Sequence, residues 1–300
     1  MTQTEAFVAT LIAPPGRLDA AALSRVRSAL PDAGDPVWLA PAEAADIPFS
    51  ATGEASQSVL ADRLRAVAGD GVDVVVQPAA RRRKKLFLAD MDSTMIGQEC
   101  IDELADFAGL KAHVAAITER AMRGEIAFEP ALRERVALLK GLPVATVETV
   151  IAERITLMRG GRTLIATMRK HGAHTCMVSG GFTLFTTRIA AMIGFDANRA
   201  NRLDVAGDTL AGTVAEPIFG RDAKRDTLIE LRGKFGLAAG ETMAIGDGAN
   251  DIAMIVEAGL GVAFHAKPKV AEAAPARIDH GDLTALLYVQ GYRKDEFAKA

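Results

Sequence analysis

The sequence predicts an α/β fold in which a parallel sheet carries a helical insertion, preceded by a smaller α+β unit. The main observation is a set of apolar runs, Leu86–Ala89, Cys176–Val178 and Met243–Ile245, each followed at once by polar or glycine residues. Such runs are typical of strands that are buried on both faces of a parallel sheet. Helical patterns separate the runs, and 300 residues exceed one average domain. We therefore expect more than one folding unit.

The N-terminal part of the chain has a different order of elements. We predict strand Phe7–Ile12, helix Ala20–Leu30, one or two strands in Val37–Ser50, helix Ser56–Ala68 and strand Val72–Gln77. With two strands in the third segment the order is β-α-β-β-α-β, which is the ferredoxin-like arrangement. We therefore predict that residues 1–80 form a separate ferredoxin-like α+β domain.

Beyond residue 160 the pattern again alternates between helices and strands. We predict helices at Arg162–Lys170 and Phe182–Ile193, because a glycine follows each of them closely, as is common after a helix. Asn201–Val214 has turn residues between two alternating segments and predicts a hairpin. Gly261–Phe264 predicts a further short strand.

Composition excludes several classes of function. A net charge of −3 and a pI near 6.0 argue against a nucleic-acid partner. The basic run Arg81–Lys85 directly precedes an apolar strand, so we interpret it as a linker. No run reaches the roughly 18 apolar residues that a membrane span requires. Cys100 and Cys176 both lie in apolar segments, which predicts buried, reduced thiols in a cytoplasmic protein.

Asp90 and Asp92 stand one residue apart, directly after the apolar run Leu86–Ala89. If the strand ends there, both carboxylates project into the crevice at its carboxyl end, where open α/β sheets bind ligands. Two acids so close are unfavourable unless a cation separates them or one is protonated. The pair therefore predicts a metal site, a proton-transfer role or both. Taken alone, an Asp-x-Asp is also common in surface turns.

Three further segments extend this pattern in a recognisable order. Ser179-Gly180-Gly181 follows the second apolar run, Lys224 opens a helix predicted at Asp222–Phe235, and Gly246-Asp247-Gly248-Ala249-Asn250-Asp251 follows the third run. Together with Asp90-Met91-Asp92, these segments resemble the four motifs of the haloacid dehalogenase (HAD) superfamily of phosphatases. The resemblance implies a HAD-type Rossmann-like parallel sheet and phosphoryl transfer.

The chemistry of phosphoryl transfer agrees with the roles that this resemblance implies for the first motif. An aspartate that attacks phosphorus must be ionised, close and in line, which fits Asp90. Asp92 would give a proton to the leaving alkoxide and later take one from water. These two residues are the predicted catalytic pair.

The other motifs would hold the phosphate and a metal ion. Ser179 offers a hydroxyl, Gly180 lets backbone N–H groups approach the phosphate, and Lys224 adds a positive charge. Asp90, Asp247 and the backbone carbonyl of Asp92 would form the oxygen-rich site that Mg²⁺ prefers. Mg²⁺ is therefore the expected cofactor.

Each of these segments has a simpler interpretation when it is taken alone. Ser179-Gly180-Gly181 could be a plain turn, and Lys224 could be a solvated helix residue. Gly246-Asp247-Gly248 could be half of a dinucleotide loop, but the third glycine of that motif is missing from its required place. The specific signal is therefore the ordered set.

Residues 95–160 have a strongly helical pattern, with Ile101, Leu104, Ala105 and Ala108 at helical spacing. A helical insertion directly after the strand that carries the nucleophile indicates a cap over the active site. We therefore divide the chain into residues 1–80, a phosphatase core of residues 81–94 and 161–300, and a cap of residues 95–160.

Within the cap the chain resembles the phosphoserine phosphatases. In that family the glutamate that matches Glu99 meets the substrate ammonium, the arginine that matches Arg135 holds its carboxylate, and residues that match Met122 and Phe128 cover its small side chain. A zwitterion needs one acid and one guanidinium, and the planar fork of arginine fits a carboxylate. Asn250, in the last motif, completes the predicted substrate-binding set.

The cap residues also have structural alternatives. Glu99 could be a first-turn acid that interacts favourably with a helix dipole. Arg135 could pair with Glu134 or Glu129 on an exposed face, and Phe128 could belong to the core of the cap.

The N-terminal domain resembles a divergent form of the small amino-acid-binding (ACT-like) regulatory domain often joined to this family. The glycine-rich effector loop expected after its first strand is reduced to Pro14-Pro15-Gly16. A structural role, or a homodimer formed through this domain, is therefore an equal alternative to effector binding.

Three functions remain open at this point. The first is Mg²⁺-dependent hydrolysis of the phosphomonoester O-phospho-L-serine to L-serine and phosphate through a phospho-aspartyl intermediate, the last step of serine biosynthesis. The second is transfer of the phosphoryl group to another small alcohol such as homoserine. The third is a non-enzymatic phospho-aspartate switch or amino-acid sensor, against which Asp92 argues, since a switch has no need of a general acid.

Overall fold

The computed structural model describes residues 5–51, 57–122 and 125–299. Its N-terminal part is a four-stranded antiparallel sheet in the order β2-β3-β1-β4 with two helices on one face. This arrangement confirms the predicted ferredoxin-like α+β region. Its elements are β1 (Glu5–Ile12), α1 (Ala20–Ser28), β2 (Val37–Ala40), β3 (Ala44–Ala51), α2 (Gln57–Ala68) and β4 (Asp73–Pro78).

The second sheet has six parallel strands in the order β12-β11-β10-β5-β6-β7. Helices cover it, and its central strands are buried throughout, as the apolar runs predict. The α/β fold class is therefore confirmed. The six strands are β5 (Leu86–Ala89), β6 (His174–Phe182), β7 (Ala197–Asn201), β10 (Thr242–Gly246), β11 (Leu260–Phe264) and β12 (Ala276–Ile278).

The helical insertion lies between β5 and the helix that begins at Gly161. Its helices follow the strand that ends directly before Asp90, as a cap would. The exact domain boundaries given above stay a prediction. The helices of the insertion are α3 (Cys100–Phe107), α4 (Lys111–Met122), α5 (Phe128–Leu138) and α6 (Ala145–Glu153). The helices that follow are α7 (Gly161–Lys170), α8 (Thr183–Ile193), α9 (Arg221–Lys234), α10 (Ile252–Glu257), α11 (Pro268–Ala273) and α12 (Ala285–Val289).

The predicted hairpin consists of β8 (Leu203–Ala206) and β9 (Thr209–Val214). Residues 141–144, between α5 and α6, lie along it. The N–H of Gly141 donates to Leu210 O, the N–H of Leu210 donates to Leu142 O, and the N–H of Val144 donates to Asp208 O, at 2.8–2.9 Å. The hairpin therefore ties the second half of the insertion to the core.

The basic run is more than a linker. Arg82 donates hydrogen bonds to Asp46 and Thr10 of the N-terminal sheet and to the carbonyl oxygens of Tyr288 and Val289 in α12. Its neighbours also bind specific partners. Arg83 pairs with Glu296, Lys84 is buried against the carbonyl oxygens of Arg81 and Gly240, and Lys85 pairs with Glu241.

The sheet face of the N-terminal region opposite its helices packs on α12. Ile12 and Val75 belong to the same apolar cluster as Leu286 and Tyr288. In the described part of the chain, no helix is long and apolar enough to cross a membrane. Cys100 and Cys176 are buried and unpaired with each other, as predicted.

Candidate active site

The predicted motif residues meet at one edge of the parallel sheet. Strands β10, β5 and β6 are neighbours, and each ends in a motif segment. Because parallel strands present their carboxyl ends on the same side, their loops converge there. A cavity of about 410 Å³ lies at this edge, beneath the helical insertion. The predicted site residues that line it are Asp90, Asp92, Glu99, Phe128, Arg135, Ser179, Gly180, Asp247 and Asn250.

Asp90 is fixed where β5 ends. Its N–H donates to the carbonyl of Ile245 at 3.1 Å, which is the last link of its strand to β10. Its Oδ1 accepts the N–H of Met91 at 2.8 Å. Ser93 then adopts a left-handed φ of 54°, which turns the chain out of the sheet toward the insertion. The nucleophile candidate therefore has a defined orientation.

Lys224 is fully buried between two carboxylates. Its Nζ lies 2.7 Å from Asp90 Oδ1 and 2.7 Å from Asp251 Oδ1. Burial alone would lower the pKa of Lys224, but Asp251 and Asp90 together outweigh burial and raise it. The lysine is therefore charged at neutral pH. The alternative in which Lys224 is a solvated helix residue is wrong.

Asp90, Asp247 and Asp251 form a buried acidic cluster whose ligand atoms lie within 4.8 Å of one another. With all three carboxylates ionised, the cluster and the ammonium of Lys224 have a net charge of −2. Burial and then Asp251 raise the pKa of both Asp90 and Asp247. A divalent cation would compensate this charge, and an all-oxygen ligand set suits a hard ion such as Mg²⁺. The residues therefore fit a divalent metal ion.

Asp92 lies outside this acidic cluster and faces the substrate cavity. Its Oδ1 accepts the N–H of Cys100 at 2.8 Å, and its Oδ2 accepts the hydroxyl of Ser179 at 3.3 Å. Burial raises the pKa of Asp92, while the Cys100 N–H opposes that rise. A carboxyl group that is held in this way can exchange a proton with a group bound beside Ser179.

Residues 179–181, in the last part of β6, line the cavity. The N–H of Gly181 donates to Ser179 Oγ at 2.9 Å. A Cβ at Gly181 would lie 3.0 Å from Ser179 Oγ and 3.1 Å from Asp92 Oδ2, whereas a Cβ at Gly180 would meet only Phe128, at 3.7 Å. A side chain at Gly181 would therefore be crowded against Ser179 and Asp92, and the N–H of Gly181 points toward Ser179, one of the groups that would surround a phosphate.

Glu99 stands at the start of α3 and accepts the hydroxyl of Ser93 at 2.8 Å. Burial, and then the nearby Asp92 carboxylate, raise the pKa of Glu99 to about 7. Its side chain lines the cavity, although Glu99 is also the residue directly before the first turn of α3. A cationic ligand group would favour the ionised form of Glu99.

Arg135 faces the cavity from α5. Its Nε donates to Ala131 O at 3.2 Å and its Nη1 to Thr118 Oγ1 at 3.5 Å. Glu134 pairs with Arg120 instead, at 2.9 Å. Among the ion pairs of the described residues none involves Arg135, so its guanidinium has N–H donors to offer a ligand.

The remaining predicted substrate-binding residues are Phe128, Asn250 and Met122. Phe128 is 41% exposed and lines the cavity over Gly180 and Gly220, so it does not belong to the core of the cap. Asn250 is exposed at the cavity wall. The side chain of Met122 lies outside the described residues.

Three further residues contribute to the site and were given no role from the sequence. Asp251 holds Lys224, and Thr94 donates to Asp247 Oδ1 at 3.2 Å. Lys267 donates its N–H to Asp247 O at 3.1 Å, and its Nζ lies 3.8 Å from Asp247 Oδ2. Asp251 is the last residue of the quoted segment that begins at Gly246, and Thr94 lies two residues after Asp92. An acid and a hydroxyl near the motif carboxylates were therefore visible in the sequence.

We predict that Gly181→Ala lowers kcat/KM at least about tenfold, because the new Cβ would displace Ser179 Oγ or Asp92 Oδ2 from the phosphate position. Gly180→Ala is the matched control, since its Cβ makes ordinary contact only. Steady-state hydrolysis of p-nitrophenyl phosphate measures both variants. Equal rates for the two variants would contradict the proposed tight packing at Gly181.

This chain is similar to several known proteins. A family model described as haloacid dehalogenase-like hydrolase matches residues 87–255. A phosphoserine phosphatase of Polaromonas sp. is 47% identical over 208 residues, which cover 68% of this chain and 88% of that protein. The region that the family model matches includes Asp90, Ser179, Lys224 and Asp247 of this chain.

Two solved structures extend the comparison to the fold. A HAD family hydrolase from Salmonella enterica serovar Typhi has a TM-score of 0.84 at 28% identity and covers 97% of this chain and 99% of its own. A substrate-bound phosphoserine phosphatase complex has a TM-score of 0.63 at 41% identity, over 68% of this chain and 97% of that one. The chain therefore belongs to the haloacid dehalogenase-like hydrolases and, within them, to the phosphoserine phosphatase family.

Proposed function

We propose that the protein hydrolyses O-phospho-L-serine to L-serine and phosphate through a phospho-aspartyl intermediate on Asp90, with Mg²⁺ as cofactor. The observation that carries the proposal is one cavity that is lined by Asp90, Ser179 and Asp247 and also by Glu99 and Arg135. These two residues offer opposite charges to the ammonium and the carboxylate of an amino acid. The names of the similar proteins support the same substrate.

In the first half-reaction an oxygen of Asp90 would form a bond to phosphorus while the bond between phosphorus and the serine oxygen breaks. The leaving oxygen would take the proton of Asp92, which leaves Asp92 as a carboxylate. Ser179, the N–H of Gly181 and Lys224 would hold the oxygens of the transferring group. Lys224 is already fixed beside Asp90 by Asp251.

In the second half-reaction a water molecule would attack phosphorus, and the carboxylate of Asp92 would take its proton. The bond between phosphorus and Asp90 then breaks, which releases phosphate and restores both aspartates to their starting forms. Asp92 therefore serves as acid and then as base at a single position. Its hydrogen bond from Cys100 holds it in place for both.

Asp90 and Asp247 would hold the metal ion, together with the backbone carbonyl of Asp92 as predicted from the sequence. Asp251, the third acid of the cluster, is occupied with Lys224 and the N–H of Gly248. When bound, a divalent cation neutralises charge on the transferring phosphoryl group. Thr94 and Lys267 orient Asp247 for this role.

The alternative functions use the same groups. A phosphotransferase would need an alcohol in place of the attacking water, and a switch would need no proton transfer, so the position of Asp92 beside Ser179 favours an enzyme. Serine biosynthesis as the pathway, a cytoplasmic location and a homodimer through the N-terminal domain stay predictions.

We expect Asp90→Asn to abolish turnover, because the amide lacks the nucleophilic charge. Rapid quench with ³²P-labelled substrate should show acid-stable, hydroxylamine-labile phosphate on the unmodified enzyme and none on the variant.

Asp92→Asn is the matched comparison for this experiment. With p-nitrophenyl phosphate, whose leaving group needs no proton, this variant should still form the phosphoenzyme but lose about 10²- to 10⁴-fold in its hydrolysis. It should therefore accumulate the intermediate. Labelled phosphate on the Asp90→Asn variant, or none on the Asp92→Asn variant, would contradict the two assignments.

Removal of the metal ion should abolish hydrolysis of the substrate, because the acidic cluster would then repel the phosphate. Addition of Mg²⁺ to the chelated enzyme should restore hydrolysis and raise Tm, while Ca²⁺ should restore little, since it favours longer bonds and more ligands. Full hydrolysis in excess chelator would refute the metal role of Asp247.

The substrate itself is tested by Arg135→Ala. Loss of a charge-assisted bidentate contact should lower kcat/KM for phosphoserine by about 30- to 1000-fold. Hydrolysis of p-nitrophenyl phosphate, which has no carboxylate, should change little.

Arg133→Ala is the matched control, because Arg133 lies on the same helix and pairs with Glu216 on the surface. It should leave both substrates unaffected. An equal loss of both activities in Arg135→Ala would mean that Arg135 supports the fold or the phosphate instead of the carboxylate.

A further inference from the structure

Asn201 is a buried side chain at the end of β7 that joins the two segments expected to hold the phosphate. It is 2% exposed and does not line the cavity. Its Nδ2 donates to Gly180 O at 2.9 Å and to Phe219 O at 3.0 Å, and its Oδ1 accepts the N–H of Phe219 at 2.6 Å. These three hydrogen bonds therefore use most of the donor and acceptor capacity of the side-chain amide.

The first segment is residues 179–181, in the last part of β6. The pairing of β6 with β7 is interrupted between Val178 and Phe182, and it resumes at the pair formed by Phe182 and Asn201. Residues 179–181 therefore lack regular pairing with β7. Where this pairing is interrupted, the side chain of Asn201 donates a hydrogen bond to Gly180 O.

This bond also determines where the next N–H points. The peptide between Gly180 and Gly181 is trans, so its carbonyl and its N–H point in opposite directions. The carbonyl of Gly180 points to Asn201, which does not line the cavity. The N–H of Gly181, on the opposite side of the peptide, donates to Ser179 Oγ, which does line it.

The second segment leads into α9. Phe219 is hydrogen-bonded to Asn201 through both its N–H and its carbonyl. The carbonyl of Gly220, the next residue, accepts the N–H of Lys224 at 3.3 Å. Asn201 therefore fixes the start of the helix that carries the buried lysine. Phe128 packs over the place where the two segments meet, since it is the neighbour of both Gly180 and Gly220.

We propose that Asn201 is a positioning residue for phosphoryl transfer, which sets the Gly181 N–H and the Lys224 helix at a fixed separation around the phosphate. The proposal builds on the function proposed above. It concerns the phosphate half of the site, whereas Glu99 and Arg135 serve the amino-acid half.

The test is Asn201→Asp, which keeps the shape of the side chain but turns an oxygen toward the carbonyls of Gly180 and Phe219. We expect kcat/KM to fall about 10- to 100-fold with both phosphoserine and p-nitrophenyl phosphate. The inhibition constant for inorganic phosphate should rise about tenfold, while that for L-serine should stay within twofold. A residue that only stabilises the fold would not weaken phosphate selectively.

Asn198→Asp is the control, because Asn198 lies on the same strand and its Oδ1 only accepts the hydroxyl of Thr186. All rates are normalised to the folded fraction measured by circular dichroism. If the Asn201→Asp variant does not fold, Asn201→Ser removes the same donors without adding a charge and is measured in the same way.

The proposal is overturned if the folded variant keeps its phosphate affinity and turnover, or if the phosphate and serine constants rise together. Failure of the phosphoserine assignment would be seen separately, as absence of phosphoserine hydrolysis by the unmodified enzyme. In that case p-nitrophenyl phosphate and inorganic phosphate still decide the role of Asn201.

Discussion

The buried ammonium of Lys224 is the constraint on which the active site depends. A charge with no exposure to solvent is costly unless it is paired and hydrogen-bonded, and here Asp90 and Asp251 supply both partners at 2.7 Å. Removal of one partner from such a group typically costs about 3–5 kcal/mol, because the other charge is left uncompensated. Helix α9, strand β5 and the segment between β10 and α10 are therefore held together by the same contacts that surround Asp90, the proposed nucleophile.

The residues that could be predicted from the sequence are those that directly follow buried strands. Asp90, Ser179 and Asp247 each come after an apolar run, and parallel strand ends share one edge of the sheet, so their convergence follows from local pattern alone. Asp251 and Asn201 could not be assigned in this way. Their partners lie 27 and 21 residues away, and only the packing of helices and loops brings those partners within hydrogen-bond distance.

Two features of the fold also depend on contacts between distant segments and were therefore missed from the sequence. Strand β7, Ala197–Asn201, was not predicted, because an edge strand with the sequence Ala-Asn-Arg-Ala-Asn has no apolar run. The basic segment was interpreted as a linker, since charged side chains are exposed by default. Arg82 instead binds the N-terminal sheet and α12 together, and Asp46, one of its partners, is far away in sequence. Neither strand β7 nor the contacts of Arg82 could be predicted from the residues of its own segment.

The contact between the hairpin and residues 141–144 bears on the handedness of the substrate. Helix α5, which carries Arg135, ends just before these residues, so the hairpin anchors Arg135 to the core. Glu99 is anchored by the turn that follows Asp92, and the phosphate groups belong to the sheet. If these residues bind the ligand as proposed, its ammonium, carboxylate and phosphate would all contact groups that are anchored to one core. Mirror-image amino acids present these groups in opposite order around the α-carbon, so such an arrangement would favour one enantiomer over the other.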